Sequence, residues 1–134
     1  MKTCAFLAIG KIENPSLLRS KLFDIAVELI NEDDVRLFFV GSGSEFDPII
    51  YEVFDKIGEF YENLFCYVIL PDENIPKELE NKYSIDWACP TEVKKAPVDI
   101  ALKVRDQWLK ETADILILYG KKTNGLRVEK VIEI

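Results

Sequence analysis

The chain contains no histidine. That one absence excludes every mechanism built on an imidazole, whether a Ser-His or Cys-His nucleophile pair or a histidine-ligated metal. Long hydrophobic runs are also missing. No apolar stretch reaches the roughly 18 residues a membrane span needs. The first residues, Met1 to Ile9, have the hydrophobicity of a signal core. They lack a cleavage pattern and are read as a buried strand, so a cytoplasmic location is expected and membrane association is not. Cationic clusters are scarce: Lys and Arg total 17 against 24 Asp and Glu, a formal net charge of −7. This argues against a nucleic-acid surface, which needs clustered cations to neutralise phosphates. It leaves room for a small anionic ligand, which a few N–H groups and one guanidinium can hold. Cys4, Cys66 and Cys89 are odd in number and stand at no metal-ligand spacing. Cys4 and Cys66 sit inside apolar runs and read as buried thiols. No metal and no cofactor is expected.

What is present is an alternation of elements. Ala5 to Ile9, Leu37 to Val40, Phe65 to Leu70 and Ile115 to Tyr119 are short runs of almost continuous apolar residues. Strands of that kind are covered on both faces, as in parallel sheets. Helical patterns lie between them. Asn14-Pro15 reads as an N-cap followed by proline at the first helical position, with Leu18, Leu22, Ile25, Ala26, Leu29 and Ile30 on one face. Asp47-Pro48 repeats that signal ahead of the stripe Ile50, Val53, Phe54, Ile57 and Phe60. An irregular stretch from Pro71 to Lys95 holds a short helix at Pro76 to Lys82 and an extended piece at Ile85 to Trp87. Pro97 opens a helix through Glu111, with Ile100, Ala101, Val104 and Trp108 inward. The expected fold is therefore one α/β domain over residues 1–134. It is Rossmann-like and doubly wound, with a mostly parallel sheet and helices on both faces. Asn124-Gly125 is a hairpin signal, and too few residues precede Val128 for a helical crossover. Leu126 to Ile134 is thus expected to return as an antiparallel edge strand beside the fourth run.

In such a sheet ligands bind beyond the carboxyl ends of the strands. Those ends are Gly10-Lys11, Gly41 to Asp47, Pro71-Asp72 and Gly120. The turn Gly41-Ser42-Gly43-Ser44-Glu45-Phe46-Asp47 is the informative one. Its glycines allow close backbone approach, and it opens a helix whose first N–H groups have no intrahelical partner. Ser42 and Ser44 add hydroxyl donors. Glu45 suits a ribose hydroxyl, a base edge or catalysis, and Asp47 suits capping. Glu45 and Asp47 are the two candidate catalytic carboxylates. Arg105, at the border of its helix's apolar stripe, can point along the sheet toward a ligand or pair with Asp106 or Glu111. Lys121, Lys122, Tyr83 and Trp87 are further residues near this edge. The turn is neither a Walker A nor a GxGxxG sequence, so neither mechanism is imported.

Several of these residues together resemble a known family. Gly41 to Asp47 followed by Pro48-Ile49-Ile50-Tyr51-Glu52-Val53 is similar to the G-G-x-G-[EF]-F-D motif of the YpsA-like branch of the SLOG superfamily, named for the Smf/DprA and LOG proteins. Lys2 to Phe6 resembles its opening strand and Tyr67 to Pro71 its third. Val104 to Leu109 with Ala113 to Ile117 resembles its R-N-x-x-M-x-x-x-S-D-x-x-I block. The resemblance covers residues 1 to 120. It implies a Rossmann-like domain that binds a nucleotide or nucleotide derivative, as a sensor or as an N-glycosidase or phosphoribohydrolase. Carried over, the ligand site comprises Gly10, Lys11, Gly41, Ser42, Gly43, Ser44, Glu45, Asp47, Arg105, Asp106 and Gly120. Ser42 and Ser44 depart from the motif, and Asp106 replaces its asparagine. The P-G-G-x-G-T-x-x-E segment of LOG-type hydrolases has no counterpart after the fourth run. A reworked tail of this kind would leave an exposed edge or apolar patch, so the alternative expectation is a degenerate, non-binding interaction module, with a homo-oligomer as its partner.

Overall fold

The structure is a computed structural model that describes residues 2–8, 11–41, 45–77, 85–120 and 130–134. In chain order the elements are β1 (Lys2–Ala8), α1 (Pro15–Glu32), β2 (Val35–Val40), α2 (Phe46–Ile57), β3 (Phe65–Ile69), β4 (Asp86–Ala88), α3 (Thr91–Lys94), α4 (Ala101–Thr112), β5 (Ile115–Tyr119) and β6 (Lys130–Glu133). The six strands form one sheet in the order β4-β3-β2-β1-β5-β6.

That order follows from handed crossovers. The chain steps from β1 to β2 to β3 in one direction, so right-handed connections place α1 and α2 on the same face, where they pack on each other. It then returns from β4 to the far side of β1, and α4 lies on the opposite face. Two cores result. Cys4, Phe6, Phe38, Val40, Val68, Ile115 and Ile117 point toward α1 and α2. Ala5, Leu7, Phe39, Ile69, Leu116 and Leu118 point toward Leu109 and Ala113 at the end of α4. Successive strand residues therefore enter different cores, which is why the runs are apolar without alternation.

α1 starts as its sequence dictates. Asn14 is extended, its side chain accepts a hydrogen bond from the Leu17 N–H at 3.2 Å, and Pro15 follows at the first helical position. Leu18, Leu22, Ala26, Leu29 and Ile30 are buried as expected, with Ile25 half-buried beside them.

Five expectations need correction. First, no edge strand is antiparallel: β6 pairs parallel to β5, with Ile115 opposite Lys130 and Leu118 opposite Glu133. The paired segment begins at Lys130, later than the sequence suggested, so about ten residues connect it to Tyr119. Fully extended they reach roughly 33 Å, ample to pass a five-residue strand of about 17 Å; the Asn124-Gly125 turn lies outside the described residues. Second, α2 begins one residue before Asp47. Glu45 occupies the cap position in helical geometry, with Asp47 and Pro48 inside the first turn. Proline fits throughout that turn because its N–H groups have no intrahelical acceptor, so it does not mark the first helical residue. Third, the α2 stripe ends at Ile57, and Phe60 is 67% exposed beyond it. Fourth, α4 starts at Ala101. Pro97 to Ile100 form a preceding turn closed by Ile100 N–H donating to the Pro97 carbonyl at 3.0 Å. Fifth, the buried side of α4 is Ala101, Arg105 and Leu109, with Ile100 exposed and Val104 and Trp108 half-buried. The unexpected helix α3 follows Pro90, and most of the helix expected at Pro76 to Lys82 lies outside the described residues.

Candidate functional site

The order of strands reverses between β1 and β5, so the crevice expected of a doubly wound sheet lies beyond Ala8 and Tyr119. A cleft of about 410 Å³ sits there, lined by Lys11, Glu13, Asn14, Leu17, Leu18, Lys21, Tyr119, Gly120 and Ile134. Gly120 follows β5 with φ of 67°, a left-handed conformation that glycine adopts without steric cost. Tyr119 ties the crevice together. Its hydroxyl accepts a hydrogen bond from the Glu13 N–H at 3.4 Å, and its ring stacks on Phe46 with centroids 5.7 Å apart. Phe46 opens α2, so the start of the second helix and the end of the fifth strand meet over β1.

On the β2 side, Phe46 is the described residue of the Gly41 turn that reaches the crevice, through its stack on Tyr119. Among the turn's residues, Gly41, Glu45, Phe46 and Asp47 are described; Ser42, Gly43 and Ser44 lie outside the described residues, as do Gly10, Tyr83, Lys121 and Lys122. The Gly41 carbonyl accepts a hydrogen bond from the Tyr51 hydroxyl at 2.8 Å, which fixes the end of β2 against the second turn of α2. Glu45 is exposed. Asp47 is only 6% exposed, on the inner side of the same helix.

Arg105 reaches this turn from the opposite face. It is 6% exposed, and its Nη2 lies 3.3 Å from where a side chain on Gly41 would begin. Nε and Nη2 both donate to Oδ1 of Asp106, at 3.2 and 3.0 Å. A guanidinium tolerates this depth because its charge is balanced and its donors are used. Arg105, Asp106 and Gly41, separate candidates in the sequence, are brought together by the fold. Trp87, on the edge strand β4, is partly exposed and not part of this group.

Tyr119, Phe46, Asn14 and Lys21 were not singled out as site residues. Tyr119 and Phe46 read as ends of apolar elements, and Asn14 as a cap. Nothing local marks Lys21; only the position of α1 beside β5 places it in the cleft. The thiols take no part. Burial pushes the Cys4 and Cys66 thiols far above their ordinary range, and Cys89 is also raised, chiefly by desolvation. Among the described residues no cluster of three metal-ligating side chains occurs, and no helix is long and apolar enough to cross a membrane.

The strand order, the parallel sheet and the crevice define an α/β domain of the doubly wound class. No family model matches the chain, and no curated protein matches its sequence.

Proposed function

We propose that this chain is a SLOG-like Rossmann domain that binds a nucleotide or nucleotide-derived small molecule beyond the C-terminal ends of β1, β2 and β5. The observation that supports this reading best is the crevice at the strand-order reversal. It combines an aromatic wall (Tyr119), apolar surface from Leu17, Leu18 and Ile134, and cations from Lys11 and Lys21. Concave sites with apolar walls and a few convergent polar groups are where small molecules bind. The test is a thermal-shift panel of nucleotides, cyclic nucleotides and ADP-ribose derivatives. A ligand at a hundred times its Kd adds about 2.7 kcal/mol to stability, a shift easily seen. No shift with any of them at millimolar concentration overturns the proposal.

A hydrolytic variant of the same reading has one observation in its favour. Glu45 is exposed next to Phe46, whose ring reaches Tyr119, whereas Asp47 is buried. A glycosidase or phosphoribohydrolase here would use Glu45 to stabilise an oxocarbenium-like transition state. Glu45→Gln should then abolish base release from nucleotides, and equal turnover in that variant excludes the role.

A further inference from the structure

We infer that the ligand is a nucleoside phosphate whose phosphate lies between Lys11 and Lys21, at the mouth of the β1–β5 crevice, and not against the glycine turn after β2. The inference rests on the nucleotide-binding reading and adds where the anion sits and that the ligand must carry one. Two independent features lead to it.

The first bears on the obvious alternative, at the one glycine of that turn among the described residues. A glycine at the end of β2 would ordinarily admit a phosphate to the backbone. At Gly41 the room left by the missing side chain is filled by Arg105: its Nη2, Cζ and Nη1 stand 3.3, 3.4 and 3.6 Å from the ideal Cβ position. The guanidinium's own charge faces Asp106. This arginine packs the turn from the α4 face and has little surface to offer a ligand.

The second feature is the charge state of the crevice. Arg19, Arg36, Lys94, Arg105 and Lys130 each pair with a carboxylate. Lys11 and Lys21, both exposed, line one cleft and have no ion-pair or hydrogen-bond partner among the described residues. Among the described lining side chains, Glu13 offsets one of these two charges and the other stands unbalanced. Lysine binds phosphate as a point charge, and two of them match a dianion. The remaining lining separates in kind from these groups. Leu17, Leu18, Ile134 and the Tyr119 ring offer apolar surface to a base, and the Asn14 side chain is already engaged with the Leu17 N–H.

The experiment is calorimetric titration of the protein, at low salt, with four nucleoside 5′-monophosphates and the four matching nucleosides, repeated on a Lys11→Gln/Lys21→Gln double variant. Both lysines are exposed, so an unchanged far-UV spectrum is expected and checks the fold. At least one monophosphate should bind tenfold or more tighter than its nucleoside. The double variant should lose that advantage while keeping the nucleoside's affinity. A monophosphate that keeps its advantage in the double variant places the phosphate elsewhere and overturns the inference. Equal binding of nucleoside and monophosphate overturns it too, leaving the nucleotide-site reading intact. Silence of all eight probes at millimolar concentration overturns the inference, and the thermal-shift panel decides the nucleotide reading separately.

Discussion

Arg105 lies under the glycine turn with its guanidinium on Gly41 and its donors on Asp106, so its contribution to stability is separable from Asp106's. Asp106 keeps about a third of its side chain in water, so its pair with Arg105 is partly screened. Losing Arg105 also empties a buried volume beneath β2. Arg105→Ala should cost about 2–3 kcal/mol in urea unfolding, and Asp106→Asn, which leaves the buried guanidinium without its carboxylate, should cost no more than that. The reverse ranking would mean that the guanidinium does not pack as described. The buried thiols give a second residue-scale prediction. Folding raises the Cys4 and Cys66 thiol pKa above the ordinary value of 9.0, mainly by desolvation. The native state therefore keeps protons that the unfolded chain releases above pH 9, and stability falls as pH rises from there. Below pH 9 both states hold the proton and no effect is expected. Each thiol adds a slope of up to about 1.4 kcal/mol per pH unit. Comparing wild type with Cys4→Ala/Cys66→Ala across pH 8 to 10.5 isolates it: the variant's alkaline slope should be shallower.

The elements differ in how their starts are fixed. α1 begins at a side-chain cap, so Asn14→Ala should lower stability by about 1 kcal/mol. α2 has no side-chain cap at Glu45, and its start is held by burial instead. Phe46 stacks on Tyr119, and the Tyr51 hydroxyl is bonded to Gly41. Glu45→Ala should accordingly leave stability within about 0.5 kcal/mol. A loss as large as that of Asn14→Ala would show a cap that the geometry does not. This contrast also explains the misplaced helix start: Asp47-Pro48 carries the chemistry of a cap, and a tertiary contact between Phe46 and Tyr119 outweighs it. On the sheet, Phe38 is fully buried between Phe6 and Phe54, with ring centroids 6.2 and 4.6 Å away. Phe38→Ala should cost about 3–5 kcal/mol, read by the same urea titration.

At the scale of the molecule both cores share the central strands, since Cys4 and Phe6 alternate with Ala5 and Leu7 along β1. Neither face can unfold alone, and chemical unfolding should be one transition with coincident near- and far-UV curves. Two separated transitions would show that the α4 face is an independent unit. Much of this architecture was legible in the chain. Four unbroken apolar runs, helical stripes between them and Asn14-Pro15 determined a parallel α/β sheet, because burial on two faces and helix capping are written in local residue types. Tertiary structure alone decided the rest. Whether β6 runs parallel depends on which residues pair, and Lys130 to Glu133 carries no local mark of direction. Arg105 faces inward because Gly41, remote in sequence, leaves room for it, and Lys21 shares a cleft with Lys11 because α1 packs beside β5. Such relations join positions far apart in the chain, and no periodicity or spacing along it encodes them.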